Sequence, residues 1–146
     1  MSASSVDISA GLIDGIYTVL NGNVTINSVT YPVYKNFYSG PTNRSYVRIG
    51  NVIDNENGTK EAFIYEGSIA IESVFETQPV NPQRATVQAI NNKVRSLLKT
   101  TKTEVPTVTD RTVIVFRHGG STIREEKIPT GNIRYVITDI YEFIIE

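Results

Sequence analysis

His118 is the only histidine in the chain, and there is no cysteine. No Ser–His–Asp triad, Cys–His pair or histidine-rich metal site is read around it, and disulfides and Cys-ligated zinc are excluded. His118 stands in Arg117-His118-Gly119-Gly120, a glycine pair that reads as a turn, so an exposed turn residue is expected there and not an acid–base catalyst. Carboxylates could do acid–base work without histidine. Glu66, Glu72 and Glu76 fall on one face of a strand-like segment. Neighbours two apart on a strand are separated by roughly 6.5 Å, however, and nothing nearby would push one pKa up and another down. A solvated or intersubunit acidic stripe is the better reading. Glu125-Glu126 reads as the polar part of an exposed strand.

The remaining motifs are equally short of chemistry. Gly119-Gly120-Ser121-Thr122 lacks the lysine and following helix of a phosphate loop. Asp54-Asn55-Glu56-Asn57-Gly58 resembles a calcium loop but has Ile64 where the bidentate glutamate belongs, so a β-turn is expected. No enzymatic activity, metal or cofactor is therefore expected. One charge pattern remains. Between Asn81 and Lys102 there are basic residues and no acidic one, and on a helical wheel Arg84, Arg95, Lys99 and Lys102 line one flank. This is either a solvated flank or a surface that docks on acidic groups of a neighbouring subunit, for which Glu66, Glu72 and Glu76 are the natural counterpart. No recognition element for duplex DNA accompanies it.

These residues sit on elements that the periodicity makes legible. In Asp7–Leu20 the apolar residues Ile8, Leu12, Ile13, Ile16, Val19 and Leu20 share one helical face, and Asn21-Gly22-Asn23 stops the helix. Residues 1–6 read as a loose lead-in. Val24–Ile26 and Val29–Tyr34 read as short strands about Asn27-Ser28, with Pro32 marking the second as an edge. Asn36–Ser45 is a polar loop carrying Phe37 and Tyr38. Tyr46–Asp54 is a strand, and Lys60–Thr77 a long one with Phe63, Tyr65, Ile69, Ile71 and Phe75 on one face. Pro82 to about Thr100 is a helix with Asn81 as its cap and Val87, Ile90, Val94, Leu97 and Leu98 on its apolar face. Thr112–Phe116 is a strand, Gly119-Gly120 a turn and Thr122–Ile128 its return. After a turn at Thr130-Gly131-Asn132, Ile133–Ile145 is the last strand.

Both helices must bury their apolar faces, which calls for an α+β fold: an antiparallel sheet with two helices packed on one face. The other sheet face keeps Ile64, Ala70, Val74, Val136, Ile140 and Ile144 among its charges, too much apolar area to leave in water. At 146 residues the chain has room for one domain and one core. Its formal net charge of −1 makes it no general magnet for nucleic acid or anionic lipid. The apolar runs are too short to span a bilayer, and no signal peptide is expected. Eight tyrosines and no tryptophan suit half-buried sheet faces and interfaces.

The order of these elements resembles the small phage tail-completion, or tail-terminator, proteins. The resemblance covers most of the chain. It rests on the helix Asp7–Leu20, on Val33-Tyr34 leading into a polar loop, and on Ser45-Tyr46-Val47-Arg48-Ile49-Gly50, where Ser45 replaces the proline of a Pro-Tyr pair. It continues in the strand ending at Phe75-Glu76-Thr77, the helix Pro82–Leu98 and a terminal strand with alternating aromatics. What the resemblance implies is a virion subunit, assembled in a bacterial host's cytoplasm, that closes into a homo-oligomeric ring, often hexameric. The ring would cap the tail tube and join it to the head, contacting other neck and tail proteins, with genomic DNA passing through unread and no membrane involved. Another neck or connector ring, such as a head-closure or adaptor protein, fits the same order. Rivals of other classes are a monomeric ligand- or peptide-binding module and an enzyme with carboxylate-only chemistry. In the ring reading, sheet edges and the outer sheet face make lateral contacts. The loops Asn36–Ser45 and Asp54–Lys60 meet the next ring or tube.

Overall fold

The computed structural model describes residues 5–35, 45–56, 65–78, 84–99 and 113–146. The elements are α1 (Ser5–Leu20), β1 (Thr25–Ile26), β2 (Val29–Thr30), β3 (Val33–Lys35), β4 (Tyr46–Glu56), β5 (Tyr65–Thr77), α2 (Arg84–Lys99), β6 (Val113–Lys127) and β7 (Ile133–Ile145). α1 buries Leu12, Ile13, Ile16 and Leu20, the face its periodicity predicts. It begins at Ser5, two residues before the sequence signal. It ends where the Asn21 amide donates to the Tyr17 carbonyl at 2.8 Å and Gly22 takes a left-handed φ of 78°.

The chain then makes a small separate hairpin. Thr25 pairs with Thr30 and Ile26 with Val29, and Asn27 and Ser28 both have positive φ (50° and 69°). That is the two-residue turn whose twist suits a hairpin, and Asn at its first position carries the left-handed conformation well. The remaining strands form one sheet in the order β3-β4-β5-β7-β6. β4, β5, β7 and β6 pair antiparallel, whereas β3 pairs parallel to β4 with Val33 beside Val47. This differs from the wholly antiparallel expectation. Ten residues separate Lys35 from Tyr46, more than a tight antiparallel hairpin uses.

A second difference is at Gly119-Gly120. There is no turn: β6 runs unbroken through it, with a register shift between His118 and Gly120. The glycines serve a bulge, and a Cβ on Gly119 would lie 3.0 Å from Cγ of Glu142. Gly50 does similar service beside the shift between Ile49 and Val52 in β4, where a Cβ would stand 2.9 Å from the Ala70 carbonyl oxygen. The turn at Thr130-Gly131-Asn132 forms as expected, with Gly131 at φ 90°.

Both helices pack on one face of the sheet. Leu12, Ile16 and Leu20 of α1 and Ile90, Val94 and Leu98 of α2 share a core with Val47, Ile49, Ile69, Ile71, Tyr141, Phe143 and Ile145. The fold is thus α+β in the sense expected. α1 lies over β3 and β4 and α2 over β5 and β7, and among the described residues no helix packs as closely on the inner face of β6. The outer sheet face hides more of itself than the alternation suggests. Val74 and Val136 are 3% and 2% exposed; they lie side by side in a row flanked by Tyr46 and Arg124. The stems of long side chains cover apolar neighbours in this way. Ile53 and Ile140 stay open, at 64% and 37%.

Candidate interaction surfaces

On the helix side, one carboxylate gathers four donor groups. Asp139, in the middle of β7, is 2% exposed. Arg95 of α2 grips it through Nε to Oδ2 at 3.0 Å and Nη2 to Oδ1 at 3.1 Å. Asn91, one turn earlier, donates Nδ2 to Oδ2 at 3.0 Å. From β6, His118 Nε2 lies 3.1 Å from Oδ1. A buried anion is tolerable only when so surrounded. The hydrogen bond to Asp139 pushes the Arg95 guanidinium pKa up from its ordinary value, against the opposing effect of burial. Tyr141 packs edge-on to His118 and flat on Phe116. Burial first, and the Asp139 charge second, push its phenol well above the usual tyrosine range.

His118 is therefore not the exposed turn residue the sequence suggested. The bulge keeps it inside a strand and turns it to the helix side, half-buried against Asp139 and Tyr141. Asp139, Asn91 and His118 together are the residues that sequence reasoning missed as a group. Each looks ordinary on its own element, and only the β6–β7 register unites them.

Beside this hub, between α2 and the inner face of β6, runs a groove of about 340 Å³. Gln88, Asn91, Asn92 and Arg95 of α2, spaced to share one stripe, face Ser121, Ile123 and Ile137 across it. Asn91 is 3% exposed, and its Oδ1 has no hydrogen-bond partner among the described residues.

On the outer face, Glu72 is held by Arg48 Nε at 2.7 Å, with Arg124 Nη2 at 3.7 Å and Thr138 Oγ1 at 3.5 Å. Glu76 accepts from Asn132 Nδ2 at 2.9 Å and lies 3.9 Å from Arg134. Glu66 is exposed. Of the expected acidic stripe, then, two carboxylates are engaged within the chain and one stands open. Of the expected basic flank, Arg95 is tied inward and Arg84 is exposed. Lys99 closes α2, while Lys102, Phe37 and Tyr38 lie outside the described residues. Near the end of the outer face a second hollow, of about 370 Å³, is lined in part by Ile53, Glu66, Val115, Arg117, Glu142 and Ile144.

No group of three or more His, Asp or Glu that could hold a metal occurs among the described residues. No helix among them is long and apolar enough to cross a membrane.

The fold is shared with a virion chain. A chain from the virion of a native gene transfer agent particle superposes with a TM-score of 0.61, over 99% of this chain and 100% of that one, at 11% sequence identity. No protein-family model matches the sequence, and no curated protein matches it.

Proposed function

We propose that this protein is a structural virion protein, a ring-forming subunit at the phage neck or head-proximal tail end that terminates the tail tube or joins the tail to the head. The observation that supports it most is the superposition on a virion component over 99% of this chain and 100% of that one. The surfaces support it too. Ile53 and Ile140 are exposed on a sheet face where Val74 and Val136 are covered, which suits contact with copies or kin. Glu72, Glu76, Asp139 and the single histidine are occupied in holding strands and helix together. In this reading the acidic Glu66 and the basic Arg84 remain for contacts between subunits, because Arg95, Glu72 and Glu76 have partners within their own chain.

The test is native mass spectrometry and light scattering of the purified protein, alone and with its tube protein, on the order of tens of micromolar. A closed ring is expected. A strict monomer in both conditions would overturn the proposal.

A further inference from the structure

β6 is an edge of the main sheet. It pairs with β7 on one side, and among the described residues no strand pairs with the other. A long edge with free backbone groups is a template for a further strand, and proteins commonly blunt it. Here the second half of the strand is laid open: Ser121, Thr122, Ile123, Arg124 and Glu125 are all exposed, on both faces of the sheet. One of them, Ile123, is apolar and 39% exposed.

The turn that follows β6 shows which of its backbone groups are free. The Ile128 amide donates to the Asn132 carbonyl at 3.1 Å. Glu126 then stands beside Arg134, Arg124 beside Val136 and Thr122 beside Thr138. Backbone bonding alternates along an antiparallel strand. Thr122, Arg124 and Glu126 therefore direct their N–H and C=O groups to β7, and Ser121, Ile123 and Glu125 direct theirs to the open edge.

The charges of this stretch say which strand fits it. The opposite edge of the sheet, β3, is 3 residues long against the 15 of β6, so edge-to-edge joining of unlike strands leaves most of β6 bare. Joining of like strands does not. An antiparallel strand that meets its own copy sets one residue against itself. Centred on Arg124, Glu125, Glu126 or Lys127, it would set like charges directly opposite, which is destabilising. Centred on Ser121 or Thr122, it would run Ile123 or Glu125 into the irregularity between His118 and Gly120. Centred on Ile123, it does neither. Ile123 meets Ile123, Thr122 meets Arg124, Ser121 meets Glu125, and every outward backbone group in the stretch finds an outward group across from it.

We infer that β6 of one copy pairs antiparallel with β6 of a second copy about a two-fold axis at Ile123, making one continuous sheet of the two. The contact is isologous and closes at two copies. It is carried by the strand edge and does not rest on the ring reading, whose lateral contacts lie elsewhere on the chain.

The chain has no cysteine, so single cysteines introduced into the full-length protein report on this contact without background. In the inferred register the two Ile123 Cα atoms stand about 5.5 Å apart, within disulfide reach. The two Glu125 Cα atoms stand roughly 14 Å apart, four strand positions off the axis, which is too far. Under mild oxidation Ile123→Cys should link at least tenfold faster than Glu125→Cys, and its product should stop at two chains on a non-reducing gel. Both chains should keep the circular dichroism spectrum of the unaltered protein. Ile123→Asp, which sets two carboxylates at the axis, should abolish the pair in native mass spectrometry with the same spectrum. An Ile123→Cys chain that stays unlinked, or links no faster than Glu125→Cys, would overturn the pairing and leave the ring standing. A protein that forms this link and never a ring, with or without its tube protein, would overturn the function proposed above and leave the pairing in place.

Discussion

Asp139 and Glu72 occupy almost the same place in the sheet and do opposite work. Ile71 pairs with Asp139 and Glu72 pairs with Thr138, so the two carboxylates stand one residue apart on opposite faces of the central strand pair. Asp139, with its side chain 3% exposed, receives groups from α2 and β6 and fastens one layer to another. Glu72, at 13%, receives groups from β4, β6 and β7 and fastens strands of a single layer. Burial decides what each is worth. A charge out of water depends wholly on its partners, and breaking such a pair is strongly destabilising. A charge near water can exchange a lost partner for solvent, and salt screens what remains.

The largest expected effect is at the inner carboxylate. Arg95→Met leaves Asp139 buried without its guanidinium and should cost about 3 kcal/mol in urea unfolding. Asp139→Leu should cost less than that, because the Arg95 side chain is 32% exposed and can turn to water. The reverse order would refute the distinction between the two partners.

Tyr141 sharpens the picture of the inner face at high pH. Its phenol is raised in the folded protein, so the folded state holds a proton that the unfolded state releases near pH 10. Stability is therefore full below that pH and falls as pH rises beyond it. Tyr141→Phe should flatten this alkaline limb. It also removes a buried hydroxyl with no partner among the described residues, so stability at neutral pH should rise by about 1 kcal/mol or stay level. An unchanged alkaline limb would show that another tyrosine sets it.

The outer carboxylate should give the smallest change. Glu72→Gln should cost about 0.5–1 kcal/mol, and added salt should shrink the difference. A loss as large as that of Arg95→Met, insensitive to salt, would erase the contrast between the faces.

Much of this architecture is legible in the sequence. Both helices announce themselves through apolar spacing, and the alternation of β5 and β7 correctly sorts Ile69, Ile71, Tyr141 and Phe143 to the core side and Glu72 and Thr138 to the other. What the sequence hides is pairing. Gly119-Gly120 reads as a turn because a bulge and a turn ask for the same residue, and only the neighbouring β7 decides between them. The hub is hidden for a related reason. Asn91, Arg95, His118 and Asp139 come from three elements, and none breaks the local pattern of its own. The parallel setting of β3 depends on how a polar stretch returns, which composition does not encode.

The pairing of β5 with β7 carries a consequence for the route to this structure. Glu72 and Thr138 are 66 positions apart in sequence, and contacts so distant form late and slowly. Until β7 docks, β5 offers an open edge, with Ile69, Ile71 and Phe75 along one side of it, to any other unfinished chain. Glu66, Glu72 and Glu76 lie on the opposite side of the same strand, where two copies aligned edge to edge would set like charges against each other. A gatekeeper role for the acidic row during folding is the expected consequence. Refolding of a Glu66→Gln, Glu72→Gln, Glu76→Gln chain should lose yield to aggregation as concentration rises, while the unaltered chain does not. Equal yields would assign the row to the finished structure alone.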